Sequence, residues 1–318
     1  MQRLEVSVLL RAFSIFAIVA SHFGFIALTG GAFYLIALSG YNFVRFTLPK
    51  FGFSAEKPET VEGISFLQKY FRFVVKIIVP TCLYLILLYS VFGEFHWFGL
   101  FLMGNLMGPN YAHGFSYWFL DVLIQIYVLF ACILMIKPLR WQLTIEPYRF
   151  FAVATVISVI VRFLFLSQFD TNALMDRLPH LMFYMFVLGA LISLSQTTSQ
   201  KLLTSGLLTL VCLYDLINDF GGNVTMMYFG LLATLWMPAI PFPKLLARPI
   251  TLVAMSSLFI YLCHFQARSL AQKLLHEPSP AVCTLFALII GIIASELWKR
   301  RHRLFNSVKT RVLSQVKA

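Results

Sequence analysis

Arg11 and His22 are the residues of this chain whose types and spacing most clearly suggest chemistry. They lie eleven positions apart in an apolar segment, residues 6–28. In an α-helix that spacing is three turns plus about 20°, so both side chains share one face, roughly 16 Å apart along the axis. An arginine in such a segment costs about 2.5–3.5 kcal/mol to insert into a membrane and must face protein, water or a ligand. An imidazole is well suited to proton transfer near neutral pH. The segment therefore predicts an anion-binding cation and a general base on one helix.

Three further cations, Lys69, Arg72 and Lys76, lie where the third long apolar segment, residues 73–93, begins. Their spacing of three and then four residues places them on one face of a helix. Together with Arg11 they predict a cationic opening toward the cytoplasm that suits a phosphate-bearing ligand. Extension of the three side chains to lipid headgroups is the alternative interpretation.

Ionisable residues also occur inside later apolar segments. Asp121 is the predicted partner of His22, because a carboxylate can orient an imidazole and stabilise its charged form. His264 is open to two interpretations, a catalytic histidine or a satisfied interior one. Arg162 lies deep in its segment and requires a partner that the sequence does not identify.

The elements that must position these residues are membrane-spanning helices. Of the 318 residues, 59% are hydrophobic and 12% are charged, about half the charge fraction of a soluble domain. We therefore predict an all-α, polytopic integral membrane protein of about ten transmembrane helices. An eleventh run, residues 97–108, is short and glycine-containing, and predicts a re-entrant or outer-surface helix. The predicted spans are residues 6–28, 30–48, 73–93, 115–136, 150–167, 179–194, 202–219, 223–240, 250–270 and 281–298.

Positive charge is distributed unevenly along the chain. With a cytoplasmic N-terminus, most lysines and arginines fall in cytoplasmic segments, so both termini are predicted to be cytoplasmic. This topology accounts for most of the formal net charge of +12, which is therefore no sign of nucleic-acid binding. We predict one membrane-embedded domain, residues 1–298, and a basic cytoplasmic tail, residues 299–318. The tail is a stop-transfer charge cluster or, alternatively, a helix lying on anionic lipid.

The five cysteines lack the spacing of a metal or redox site. Most of them fall in apolar runs, where buried free thiols are the ordinary case. We therefore predict no metal site and no disulfide framework.

Several segments carry a resemblance to a known family. The pair R-x10-H is matched by Arg11 and His22, and KYFRFVVKIIVP is similar to a basic R-x-x-R-I-x-P segment. MFVLGALIS and SSLFIYLCHF look like F-x-x-G and I-Y-L-x-H. GGAFYLIALSGYNFVRF resembles G-x-D-x-F-F-x-L-S-G-F, keeping Leu38, Ser39 and Gly40, and YWFLDVLIQIY resembles W-x-L-x-x-x-x-Q-F-Y, keeping Trp118, Gln125 and Tyr127.

In the order and spacing of these segments the whole chain resembles acyltransferase family 3, the ten-span membrane enzymes that O-acylate cell-surface glycans and lipids. Two departures stand out. Phe33 or a neighbour occupies the place of an aspartate in the second segment, and Leu123 and Ile124 replace an acidic pair before Gln125.

The resemblance implies that an acyl group, usually acetyl, moves from cytoplasmic acyl-CoA to a hydroxyl of a polysaccharide or glycolipid at a bacterial inner membrane. His22 would be the general base or carry the acyl group covalently, with Asp121 beside it. Acyl-CoA is then a co-substrate, and no permanently bound cofactor is expected. The implied donor-binding residues are Arg11, Arg72, Lys69 and Lys76, and the implied acceptor or supporting residues are Trp118, Gln125, Tyr127, His264 and Ser39.

Two other function classes remain open at this point. A transporter or flippase for a glycan or lipid intermediate would also place polar residues at membrane depth. Against it, the sequence shows no pair of Gly- or Pro-broken segments in corresponding halves. A non-catalytic membrane scaffold would account for neither the Arg11–His22 pair nor the cationic opening.

Overall fold

The part of the chain that the structure describes folds into α-helices, most of them apolar, and one pair of short strands. The computed structural model describes residues 1–51, 63–108, 117–174, 176–217 and 221–316. Short 3-10 or π turns cover Phe43–Thr47, Leu48–Phe51, Gly104–Met107 and Asn172–Leu174. In chain order the other elements are β1 (Gln2–Glu5), α1 (Val6–His22), α2 (Gly31–Asn42), α3 (Gly63–Phe92), α4 (Trp97–Leu100), α5 (Trp118–Met135), α6 (Lys137–Ile145), α7 (Pro147–Gln168), α8 (Pro179–Leu194), α9 (Thr198–Ile217), α10 (Gly221–Trp236), β2 (Ala239–Phe242), α11 (Lys244–Met255), α12 (Ser257–Leu275) and α13 (Pro280–Val316).

The chain divides into two compact units. The first unit combines residues Met1–Thr29 with Ala239–Ala318, and the second is Gly30–Pro238. The first unit therefore contains both ends of the chain, whereas the second is one continuous stretch. The single domain over residues 1–298 stays a prediction about folding, since this division concerns packing alone.

Length and composition make four of the described helices capable of crossing a membrane. They are Phe66–Phe92, Trp118–Met135, Pro147–Gln168 and Pro280–Arg301, and the α11–α12 pair adds a fifth if it counts as one bent span. These helices fit the predicted all-α, multi-pass membrane protein. Three other apolar helices are shorter: Val6–His22, Pro179–Leu194 and Val224–Trp236.

Three predicted spans need correction. The span predicted over 223–240 ends at Trp236, and Ala239–Phe242 form strand β2. The helix predicted over residues 6–28 ends at His22, and Gly24, two residues later, adopts a positive φ of 74°. Its 17 residues give about 25 Å of rise, less than the ~30 Å of a typical hydrocarbon core. The span predicted over 250–270 is broken, because α11 and α12 meet at an angle of 79°. Two adjacent serines, Ser256 and Ser257, occupy this bend, a position where serine is common.

The segment 97–108 contains two short turns, α4 and the 3-10 turn Gly104–Met107, rather than one helix. Between them Leu102 has a positive φ of 58°, which ends any continuous helix. At the other end of the chain, α13 continues through the predicted tail as far as Val316. Lys317 and Ala318, the last residues of that tail, lie outside the described residues.

The thiol prediction holds in part. The five cysteines are free, and Cys212, Cys263 and Cys283 are buried. Cys132, however, is exposed on α5, and Cys82 is half-buried. Helix α5 is long and apolar enough to cross a membrane, and an exposed thiol on such a helix can face lipid.

The first unit is organised around α1. Strands β1 and β2 pair antiparallel, with Gln2 opposite Phe242 and Glu5 opposite Ala239. Since β1 runs directly into α1 and β2 lies just before α11, this pairing brings the starts of the two helices together. Helix α1 also contacts α12 and α13, which pack closely against each other. A Cβ atom at Gly291 of α13 would collide with the backbone of Ile260.

The second unit is centred on the crossing of α2 and α8. A Cβ atom at Gly40 would collide with the carbonyl of Phe186, and one at Gly189 with the carbonyl of Ala37. Small residues at such crossings let the backbones of membrane helices approach closely. Two of the segments that carry the family resemblance therefore have a packing role here.

Candidate functional site

His22 is the last residue of α1, and its side chain is exposed. Its Nδ1 atom lies 2.9 Å from Nε2 of His264, and the two rings stack with centroids 5.2 Å apart. His264 lies in α12 and is fully buried. The structure thus brings together two predicted site residues separated by 242 positions.

The hydrogen bonds of His264 define which nitrogen carries a proton. Its Nδ1 lies 2.6 Å from the carbonyl oxygen of Tyr261, and because a carbonyl only accepts, Nδ1 is the protonated nitrogen. In neutral His264, Nε2 is then an acceptor and receives the Nδ1–H of His22. Neutral His22 consequently keeps a lone pair on Nε2. That is the arrangement required of a general base.

Other residues of α12 hold the end of α1. The ring of Phe265 stacks on His22 at 5.3 Å with the planes 14° apart. The Arg268 guanidinium donates to the backbone carbonyl of His22 at 3.5 Å and lies 5.3 Å from the ring centroid of Phe23. His264 and Arg268 are one helical turn apart, so the same face of α12 makes these contacts. The His22 imidazole is therefore positioned from several sides.

Arg11 is half-buried, and its Nε donates to Ser257 Oγ at 2.9 Å. Ser257 is the first residue of α12, and His264 follows it by two turns. Arg11 precedes His22 on α1 in the same sense, so α1 and α12 run parallel. The prediction that Arg11 and His22 occupy one helix is confirmed, and both contact α12.

Asp121 and Gln125 of α5 hold the segment around residue 105. The backbone N–H of Asn105 donates to Asp121 Oδ2 at 3.2 Å, and its Nδ2 donates to Gln125 Oε1 at 3.1 Å. Gln125 Nε2 donates to the carbonyl of Leu102 at 2.8 Å. Both residues therefore have a structural role in the second unit. The pairing of Asp121 with His22, which belong to different units, stays a prediction.

Three other predicted acceptor residues also have structural contacts. Trp118 lies under the Arg177 guanidinium, 4.4 Å from the ring centroid. Tyr127 packs edge-on against Phe73 at 5.1 Å in a cluster of aromatic rings. Ser39 Oγ donates to the carbonyl of Ile36 at 2.6 Å, within its own helix.

The cations Lys69, Arg72 and Lys76 all lie in α3, and their side chains are exposed. Their predicted location on one helix is confirmed. Phosphate binding and extension to lipid headgroups both require exposed side chains, so both interpretations stay predictions.

Arg162 now has partners. Its Nη1 donates to the carbonyl of Leu181 at 3.3 Å, and its guanidinium lies 5.4 Å from the Tyr184 ring centroid. Both residues belong to α8, which packs against the helix of Arg162. A structural role explains this buried cation.

Sequence reasoning missed Ser257 and Asn105. The pair Ser256–Ser257 before an apolar run carries the signal of a helix start, because serine is favoured at the N-cap. Asn105 follows Gly104 in a run too short to span, where an amide side chain often stabilises a turn. Within the residues that the structure describes, no three His, Cys, Asp or Glu side chains lie close enough to hold a metal ion. Comparison with family models, curated proteins and solved structures finds no match to this chain.

Proposed function

We propose that this chain is a membrane O-acyltransferase related to acyltransferase family 3. It transfers an acyl group from acyl-CoA to a hydroxyl of a cell-surface polysaccharide or glycolipid, and acetyl is the first acyl group to test. The observation that carries the proposal is the hydrogen bond of exposed His22 to buried His264. In that bond Nδ1 of neutral His22 carries the proton, so Nε2 is the basic nitrogen of a positioned imidazole. Arg11, a cation on the same helix, is the proposed donor-binding residue.

In the proposed reaction, His22 Nε2 takes the proton of the acceptor hydroxyl while the hydroxyl oxygen attacks the thioester carbonyl. The carbon–sulfur bond then breaks, and the CoA thiolate receives the proton from His22. His264 supports the charged intermediate, because its Nε2 accepts the Nδ1–H of the His22 imidazolium. Proton transfer of this kind contributes about 10²–10⁴ in rate.

A covalent route uses the same nitrogen. Nε2 attacks the thioester carbonyl, the carbon–sulfur bond breaks, and CoA leaves as the thiolate. The acyl-imidazolium keeps its Nδ1–H on His264 and then passes its acyl group to the hydroxyl, whose proton is released and balances the one that the thiolate takes up. A burst of CoA release in the absence of acceptor distinguishes this route from direct transfer.

The proposal includes a topology of ten spans with both termini in the cytoplasm of a bacterium. The asymmetric distribution of lysine and arginine supports it. In this orientation Arg11 lies toward the cytoplasm, where acyl-CoA is available, and His22 lies in the outer half of the membrane.

The test follows radiolabel from acetyl-CoA into glycan in membranes that contain the protein and its native glycolipids. We expect label with the parent chain and its loss, by at least about a hundredfold, with His22→Ala at equal protein level. His276→Asn is the control, since His276 is another exposed histidine of the first unit and asparagine tolerates its positive φ of 42°. Full activity of His22→Ala contradicts the proposal.

A transporter or flippase is the second candidate, and the broken α11–α12 pair favours it. Transport proteins commonly place discontinuous helices at their substrate site. Among the described residues one such pair is found, whereas an inverted repeat requires a second in the other half. Movement of labelled glycolipid across vesicles without acyl transfer, unaffected by His22→Ala, would establish this candidate instead.

A further inference from the structure

The break between α11 and α12 places the start of a long helix inside the first unit. Helix α12 has 19 residues and begins at Ser257, directly after the 79° bend. The N–H groups in the first turn of any α-helix have no carbonyl partner within the helix. Ser256 is the N-cap residue, but its side chain makes no capping hydrogen bond. The N-cap side chain therefore satisfies none of these donors.

Two buried hydroxyl groups lie on the helices that meet here. Ser256 Oγ and Ser14 Oγ are fully buried, and neither has a hydrogen-bond partner among the described residues. A buried polar group without a partner is costly, so each such group in a native structure calls for an explanation. Ser14 follows Arg11 by one turn of α1, and Ser256 immediately precedes Ser257, which accepts the hydrogen bond of Arg11. A ligand that accepts a hydrogen bond at the start of α12 would satisfy the Ser256 hydroxyl.

Electrostatics specify the charge of that ligand. The start of a helix carries about half a positive charge, and the Arg11 guanidinium lies beside it through its 2.9 Å bond to Ser257 Oγ. The first turn of α12 contains no acidic residue. Two positive groups held together in a low-dielectric region favour an anion between them. Amides at a helix start combined with a guanidinium are a common arrangement for binding phosphate.

We propose that the α11–α12 break is a phosphate-binding subsite formed by Arg11, Ser256 and the first-turn amides of α12. The phosphate comes from the co-substrate CoA or from a lipid headgroup. The choice of CoA rests on the proposed function. It places the phosphate at one end of the parallel α1–α12 pair and the thioester at the other, near His22. The rise from Ser257 to His264 is roughly 10 Å, which a pantetheine arm can span.

The test measures binding without turnover, on the purified full chain in nanodiscs of zwitterionic lipid. Titrations use CoA, and pantetheine as the matched compound without phosphate. We expect CoA to bind at least about tenfold more tightly than pantetheine, because the phosphate makes charge-assisted hydrogen bonds. Ser256→Gly and Arg11→Lys should each weaken CoA about tenfold and leave pantetheine unchanged.

Ser256→Gly removes the hydroxyl and keeps the helix start, because glycine is also a good N-cap residue. Ser269→Ala is the control, since Ser269 is exposed on the same helix and donates only within it, to the carbonyl of Phe265 at 3.2 Å. CoA binding that Ser256→Gly and Arg11→Lys leave intact overturns the subsite, unless the lipid measurement below shows an occupant.

Native mass spectrometry of the parent and Ser256→Gly identifies the source of the phosphate. The subsite is assigned to a lipid headgroup if the parent retains a phospholipid that Ser256→Gly loses and if CoA binding is insensitive to both variants. If the variants change neither CoA binding nor phospholipid binding, the proposal is overturned. If CoA binding depends on Ser256 but no acyl transfer occurs, only the proposed function is contradicted. If Ser256→Gly transfers the acyl group with a normal KM for acetyl-CoA, only the subsite is contradicted.

Discussion

At the scale of residues, the decisive feature is that an exposed imidazole hydrogen-bonds to a buried one. His264 carries its proton on Nδ1, bound to the Tyr261 carbonyl, and so presents an acceptor to His22. A histidine pair can thus perform the orienting role for which a carboxylate was predicted. This arrangement does not require Asp121 to contact the base.

The first prediction concerns His264 as a positioning residue. His264→Phe keeps a buried ring but removes the acceptor for His22, so we expect kcat to fall about 10- to 100-fold with little change in KM for acetyl-CoA. His264→Gln should restore part of kcat, because its amide oxygen can accept the same hydrogen. Steady-state kinetics at matched protein level check both variants, and equal kcat for His264→Phe and the parent refutes the role.

A second prediction separates the two possible roles of Asp121. Its carboxylate accepts the Asn105 N–H, which an asparagine oxygen can also accept, so Asp121→Asn should leave the melting temperature nearly unchanged. Asp121→Leu leaves that buried N–H unsatisfied and should cost about 1–3 kcal/mol of stability. Thermal unfolding in detergent measures both. If turnover falls in Asp121→Asn while stability does not, Asp121 acts on the base as the sequence predicted; unchanged turnover assigns it to the fold.

At the scale of elements, the crossing of α2 and α8 depends on two glycines. Gly40 and Gly189 each lie against a backbone carbonyl of the other helix, so a methyl group at either position forces the helices apart. The segments that contain these glycines also support the family resemblance. Their packing role means that these matches alone say little about catalysis.

We expect Gly40→Ala and Gly189→Ala each to destabilise the protein by at least about 1–3 kcal/mol, the usual cost of overpacking. Gly206→Ala is the matched control on α9, because a Cβ atom there meets nothing within 4 Å and alanine is the better helix former. Melting temperatures in one detergent compare the three. Equal melting temperatures for Gly189→Ala and Gly206→Ala would contradict the close crossing.

At the scale of the whole molecule, the sequence was informative where the determining interactions are local. The common face of Arg11 and His22 follows from helical periodicity, and hydropathy identified the apolar class of the chain. The contact of His22 with His264 joins residues 242 positions apart, which one sequence cannot reveal. The bend at Ser256 was missed because the mean hydropathy of a segment such as residues 250–270 does not report the direction of the helix axis.

The orientation of the chain provides the last prediction. Helix α13 separates His276 from Lys299, and its rise from Pro280 to Lys299 is roughly 30 Å, the thickness of a hydrocarbon core. In a variant without the five native cysteines, His276→Cys should react with a membrane-impermeant maleimide on intact spheroplasts. Lys299→Cys should react only after permeabilisation, because the cluster of lysine and arginine from 299 onward is retained in the cytoplasm. The reverse pattern inverts the proposed topology and places Arg11 away from cytoplasmic CoA. Reaction of both cysteines from one side shows instead that α13 does not cross the membrane.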